Sequence, residues 1–393
     1  MTAQEFLKLH TDLYSDNPTL FLYTPGRVNL IGEHIDYNGG LVMPFAITKG
    51  TYLLASSRSD NLFKCYSANF KDLGIIEFSL DDFKKGNNWV DFVKGAISEL
   101  KKEGISLPFG LNLTILGTIP TSSGLSSSAS LEVAIFNCLK NMYKLNIDDE
   151  KIAILSRAIE HNFIGVNCGI MDQYIISCAK DDSVMLLDCN SLEHKYSPFN
   201  LGEYKLLIMN TLKKRDLASS KYNERLSECA KALNIVKEFY DVDNLCELSV
   251  EDLNKIKDKF SDKTIYNRAL HCASEMARVK ECYEALNDNE LFKVGNLLNQ
   301  SHESLKNLYE VSCLELDTLV DSARMVSTCL GARMTGAGFG GCAIAIVKES
   351  QVDEAIRLIK NRYLNKIGHE CEVYVASVAG NTRILNMESD YEL

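Results

Sequence analysis

The densest group of reactive side chains lies in GRVNLIGEHIDYNGG (residues 26–40), where Glu33, His34 and Asp36 crowd behind the apolar pair Leu30 and Ile31. Two carboxylates and an imidazole on one glycine-framed turn supply acceptors, a donor and a titratable base. Taken alone, the carboxylates better suit a solvated turn and the histidine a satisfied core position. The second stretch, TIPTSSGLSSSASLEVAIF (residues 118–136), runs from an apolar strand-like segment through a Gly/Ser loop into a helical pattern. Unpaired N–H groups and the dipole at the start of a helix favour an anion, and small side chains let a phosphate come close. The hydroxyls of Ser126, Ser127 and Ser128 add ligands for phosphate oxygens or a metal ion; a plain serine-rich helix cap is the competing reading. A third stretch, GARMTGAGFGGCAIAIV (residues 331–347), carries Gly331, Gly336, Gly338, Gly340 and Gly341 ahead of an apolar, strand-like run. Glycine there permits positive φ and close backbone approach, although a tight β-hairpin would also use it. Three such loops in one chain point to a shared site.

Familiar phosphate-binding families are excluded by their absent motifs. The dipeptide Gly-Lys never occurs, so there is no G-x-x-x-x-G-K-[ST] loop, and neither H-R-D nor D-F-G is present. GAGFGG precedes a strand-like run and not a helix, so it does not open a nicotinamide-binding βαβ unit.

The elements that must position these loops fall into two textures. Up to about residue 190, strand-like runs (21–23, 51–57, 110–116, 184–187) alternate with helical patterns at 89–102 and 126–144, which predicts a mixed α/β domain. Residues 221–327 are mainly helical, and strand-like runs return at 342–347 and 372–378 around a predicted helix at 351–363. The expected division is 1–195 and 196–393, with a second α+β domain carrying helical insertions. The whole chain of 393 residues carries 42 basic and 53 acidic side chains, a formal charge of -11, which argues against a general nucleic-acid or acidic-membrane binder. Its 13 cysteines show no C-x-x-C pair, suiting a reducing compartment better than a disulfide framework or zinc site. The N-terminus lacks signal-peptide character and no apolar run reaches spanning length, so a cytoplasmic location is expected.

Together the three stretches resemble the motifs of the GHMP kinase superfamily and, within it, the galactokinase family. EHNFIGVNCGIMDQY (160–174), WVDFVKG (89–95) and MNTLKKRDLASSKYNERLSEC (209–229) extend the similarity, which runs from about residue 20 to 348. The resemblance implies an α+β, two-domain GHMP kinase fold with a left-handed βαβ unit in the N-terminal domain and the active site in the cleft between domains. It implies transfer of the γ-phosphate of ATP to the 1-hydroxyl of α-D-galactose, the first phosphorylation of galactose catabolism in the Leloir pathway. Galactose would be held by Glu33, His34 and Asp36, with Gly169 and Tyr222 completing the pocket. Asp172 resembles the base for the 1-hydroxyl and Arg27 its charge partner. An Asp beside an Arg is a weak formal base, so orienting the hydroxyl, with late proton transfer, would be its main part; a buried structural salt bridge is the other reading of the pair. Gly124, Leu125, Ser126, Ser127, Ser128 and Ala129 would cradle the phosphates, and Ser128 with Glu160 would hold Mg2+. Ser67 and Trp89 are placed on the adenine side, where the single tryptophan is as readily plain core. Small-molecule substrates, no nucleic acid, no membrane and a monomer or weak dimer complete the expectation.

Two positions depart from the family pattern. Ser122 stands where the second motif usually has Gly, and Ile35 where Thr is more frequent. Ile is also found there in the N-acetylgalactosamine kinase branch, but Asn38-Gly39-Gly40 after Asp36-Tyr37 differs from that branch's Cys-Gly-Tyr. A non-catalytic sugar and ATP sensor is the other rival; its phosphate loop is usually damaged, whereas Ser126–Ser130, Asp172 and Arg27 are all present here.

Overall fold

A computed structural model of the chain describes residues 1–82, 84–120, 124–213 and 218–393. Its first sheet is built around Leu20–Asn29, a strand buried at every position. That burial has two sources. Helix Ser127–Tyr143 packs on one side of this strand and of Pro44–Ser57, and on the other Phe21 and Leu54 meet Ala3 and Phe6 of helix Ala3–Tyr14. The spatial order continues from Leu20–Asn29 through Pro44–Ser57, Leu111–Gly117 and Leu62–Ser67 to Ile76–Ser79. Neighbours are antiparallel except Leu62–Ser67 against Leu111–Gly117, which run parallel. A parallel pair needs a long crossover, and here it includes helix Asp91–Lys102.

A second, fully antiparallel sheet orders Gly331–Thr335, Cys342–Lys348, Tyr204–Asn210 and Glu372–Val375. Helices Leu291–Ser304, Leu314–Arg324 and Val352–Ile367 pack against it. A small sheet of Leu41–Val42, Ser183–Asp188 and His194–Pro198 lies beside the long helix Lys263–Asn287. Among the described residues no helix is long and apolar enough to cross a membrane.

The strand-like and helical runs read from the sequence all fall on elements of the matching type. The run at 372–378 differs in one respect: it divides into Glu372–Val375 and Val378–Ala379, which pair with Tyr204–Asn210 and Pro44–Ser57 respectively. Ala376 still donates to Leu206 in the second sheet while Ser377 accepts from Thr48 in the first. One extended segment therefore bridges two sheets. The strands Val378–Ala379 and Arg383–Ile384 thus join the sheet formed otherwise by the N-terminal part of the chain. Helix Ala3–Tyr14, not among the runs read from the sequence, starts at a capping box formed by Thr2 and Glu5.

Candidate active site

Two adjoining hollows lie where the three glycine-rich stretches converge. The larger, of about 520 Å³, is lined by Arg27, Glu33, His34, Asp36, Ser128, Glu160, Gly169, Asp172 and Tyr222, together with Gly336 and Ala337 of the third stretch. The smaller, of about 230 Å³, is walled by Phe70, Phe92, Ile115, Ile119 and Leu131 and includes Ser67, Trp89 and Ser127. Ser128 borders both. The turn that begins helix Ser127–Tyr143 is therefore the partition between them.

Arg27 and Asp172 meet at that partition. Strand Leu20–Asn29 delivers Arg27 and the first turn of helix Met171–Cys178 delivers Asp172. Arg27 Nε and Nη2 donate to the two carboxylate oxygens, each at 2.8 Å, a bidentate pairing that fixes the plane of the carboxylate. The third arm, Nη1, donates to the Gly124 carbonyl at 2.7 Å. Ser126 Oγ donates to Asp172 as well. Ser126 itself has φ of 61°, a left-handed conformation that costs a residue with a Cβ and is held by these contacts. The first intrahelical bond that follows runs from Ser130 N–H to Ser126. The N–H groups of Ser127, Ser128 and Ala129 therefore precede the helical ladder and suit an anion.

Asp36, Gly169 and Tyr222 form another corner. A Cβ on Gly169 would collide with the Asp36 carboxylate, so only glycine allows this approach. Burial raises the Tyr222 hydroxyl well above its ordinary value, and the Gly169 backbone beside it opposes that rise. Burial, then the neighbouring charges of Asp172 and Glu33, raise Asp36 to about 7.

Glu33 and His34 are more committed than the sequence suggested. Glu33 is 1% exposed; one oxygen accepts from Thr335 Oγ1 at 3.0 Å and Gly336 N–H at 2.6 Å, and the other takes Arg333 at 2.8 Å and the Asn29 amide. Burial raises its pKa, opposed mainly by Arg333. His34 places Nδ1 2.7 Å from the Tyr37 hydroxyl and Nε2 3.2 Å from the Ala337 carbonyl. Both residues line the cleft while tying the first stretch to the third.

Beside Ser128 and Glu160 lies a residue not singled out in the sequence. Glu132 is fully buried, and burial together with the Glu160 charge pushes its carboxyl well above the ordinary range. Its Oε2 accepts from Gln173 Nε2 at 3.1 Å, while Oε1 has no hydrogen-bond donor among the described residues. An oxygen-only set with an unpaired buried acceptor fits a hard divalent cation. The spacing held the signal: Ser128 and Glu132 are four apart on a helix and share a face. Tyr37, Gly336 and Ala337 were likewise inside quoted motifs without being assigned.

Of the two departures, Ile35 is fully buried, packs where Gly40 passes and does not line the cleft. Ser122 lies outside the described residues.

Family models match most landmarks: the galactokinase galactose-binding signature over residues 8–57, the GHMP kinases N terminal domain over 91–180 and the GHMP kinases C terminal region over 272–365. A galactokinase of Clostridium perfringens is 48% identical over 367 residues, covering 93% of this chain and 95% of the relative. One from Staphylococcus carnosus is 44% identical over 377 residues, covering 95% and 97%. The solved structure of Lactococcus lactis galactokinase complexed with galactose superposes with a TM-score of 0.95 at 42% identity, covering 97% of this chain and 99% of that one. A mevalonate kinase, at 22% identity and a TM-score of 0.66, shares the fold.

Proposed function

The chain belongs to the galactokinase family of GHMP kinases, and on that premise we propose that it transfers the γ-phosphoryl group of ATP to the 1-hydroxyl of α-D-galactose, giving galactose 1-phosphate and ADP. The observation that carries this reading is the bidentate Arg27–Asp172 pair on the partition between the two hollows, where a sugar hydroxyl and a terminal phosphate would meet.

The sugar occupies the larger hollow and the adenine the smaller, between Trp89 and the side of Ser67. Phosphoryl transfer passes through a loose transition state, so positioning and charge supply most of the catalysis. Asp172, held in one plane by Arg27, orients the 1-hydroxyl and takes its proton late in the transfer. Arg27 fixes the plane of the Asp172 carboxylate and puts positive charge beside the transferring phosphoryl group. The N–H groups of Ser127, Ser128 and Ala129, with Gly124 and Leu125 shaping the loop, cradle the phosphates. Mg2+ would be held by Ser128 and Glu160, with Glu132 next to them, and would neutralise phosphate charge. Asp36 reads sugar hydroxyls with Gly169 and Tyr222 around it, while Glu33 and His34 set the shape of that wall. Catalysis is favoured over a sensor role because the Arg27–Asp172 pair is assembled and joined to the phosphate loop through Gly124.

The test is ADP release from MgATP with galactose, glucose, N-acetylgalactosamine and mevalonate offered separately, and NMR of the product. Turnover on galactose with phosphate on the 1-oxygen is expected. Turnover on N-acetylgalactosamine in preference to galactose would replace the substrate, and sugar binding without ADP release would replace the enzyme by a sensor.

A further inference from the structure

The hydrogen-bond chain behind His34 can run in only one direction. The Ala337 carbonyl only accepts, so the His34 Nε2 facing it at 3.2 Å carries a proton. Burial keeps the ring neutral, lowering its pKa to about 3. Nδ1 is then bare and accepts from the Tyr37 hydroxyl at 2.7 Å. With its own proton spent, Tyr37 accepts from the Tyr309 hydroxyl at 2.9 Å. Tyr309 in turn accepts from the Cys229 thiol at 3.0 Å. The Asn38 amide closes the far end, donating both to the Cys229 sulfur at 3.7 Å and to the His34 carbonyl at 2.9 Å. Reversing the chain would leave the bare Nε2 lone pair facing a carbonyl oxygen.

Tyr309 sits outside all three glycine-rich stretches and does not line the cleft. It is fully buried at the end of the turn Leu305–Tyr309, with its ring 4.9 Å from that of His34 and 4.5 Å from that of His271. Arg225 Nε grips its carbonyl at 2.8 Å. Its hydroxyl is thus fixed in place to point the chain.

We propose that Tyr309 is a positioning residue for sugar recognition, fixing His34 through Tyr37 as an Nε2–H donor, so that the ring meets a lone pair of the sugar and not one of its hydroxyl protons. The inference rests on the reading of the larger hollow as the sugar site. A sugar oxygen would share or replace the Ala337 carbonyl as the partner of Nε2–H.

Tyr309→Phe removes the hydroxyl and keeps the ring contacts. The galactose KM should rise about tenfold, the scale of one lost hydrogen bond, with kcat and the ATP KM within about twofold of wild type. In long-range 1H–15N spectra of histidine-labelled protein with galactose bound, where a sugar oxygen replaces the Ala337 carbonyl as partner of Nε2, the His34 signal, identified by its loss in His34→Gln, should move from the Nε2–H tautomer toward a mixture. An unchanged galactose KM overturns the proposal, and so does a KM rise with the tautomer intact, because Tyr309 would then act by packing alone. Should Tyr309→Phe fail to fold, Cys229→Ala, which deletes the last donor, should raise the galactose KM while Cys229→Ser, which keeps it, should not; equal values for the two overturn the chain. Failure of the sugar reading would appear in wild type as absent galactose turnover, whereas failure of the chain appears only in the variants.

Discussion

At the scale of single residues, Asp172 and Asp36 are two carboxylates in one cleft with opposite surroundings. Asp172 is clamped by Arg27 on both oxygens, whereas Asp36 is half-buried against Gly169 near other acids and rises to about 7. Asp172→Asn keeps the shape and removes the base, so turnover should fall about 10²–10⁴-fold while calorimetry still detects galactose binding; near-normal turnover would take Asp172 out of the chemistry. Sugar hydroxyls donate best to an ionised Asp36, so the galactose Kd should rise about tenfold per pH unit below 7 and level off above it. The sign for stability follows from the same shift. The folded state holds a proton on Asp36 between the ordinary value of 3.8 and about 7 that the unfolded state has lost, so stability falls as pH rises through that window. Asp36→Asn should flatten both profiles, and a titration of Kd identical to wild type would show that another group governs them. The acids, the histidine and the serines were legible in the sequence because each sat in a dense motif. The true engagement of Glu33 was not, because its partners Arg333, Thr335 and Gly336 lie some 300 positions away, |i−j| being 302 for Thr335 and 303 for Gly336.

At the scale of elements, the third glycine stretch is both a hairpin loop and a wall of the site. Gly331–Thr335 and Cys342–Lys348 pair as a hairpin, and Gly336, with φ of 79°, passes so close to the second glycine-rich stretch that a Cβ would stand 2.9 Å from the Gly124 carbonyl. The two readings of that stretch, a tight turn or a ligand-facing loop, were therefore not alternatives. Periodicity exposed the strands and helices but not their partners, and the run at 372–378 looked continuous because nothing in its composition marks the transfer from one sheet to the other. What joins the first stretch to the third is a buried ion pair: Arg333, fully buried, meets Glu33 and donates to the carbonyls of Asn29 and Leu30 at 3.1 and 2.9 Å. Removing one partner leaves the other charge uncompensated, so Arg333→Ala should lower the unfolding free energy by about 3–5 kcal/mol in urea titrations. A loss below about 1 kcal/mol would mean that the glycine loop is held by its backbone alone.

At the scale of the whole molecule, the chain ends are stitched together on the face of the first sheet away from helix Ser127–Tyr143. Arg383–Ile384 pairs with Leu22 and Tyr23 of strand Leu20–Asn29. Leu385, Met387, Tyr391 and Leu393 then pack over Ala3, Phe6, Phe21 and Leu54. Hydrogen bonds fasten the strap, with the Ala3 backbone N–H donating to the Tyr391 carbonyl at 2.9 Å and the Gln4 side-chain Nε2 to that of Met387, also at 2.9 Å. The tail carries no motif, so its part was invisible to a reading that looked for chemistry; its value lies in covering apolar surface and one edge of a strand. Strand Leu20–Asn29 is the same one that presents Arg27 further along, but the tail pairs only near Leu22 and Tyr23. Stability and catalysis should therefore separate. Ending the chain after Thr382 should cost on the order of 3 kcal/mol or more, from the apolar side chains uncovered on both sides, and lower the midpoint of thermal unfolding. Below that midpoint kcat and the galactose KM should match those of the full chain. Unchanged thermal stability would show that the strap is not part of the cooperative fold, and a galactose KM raised in protein that remains folded would show that strand Leu20–Asn29 transmits the loss to Arg27.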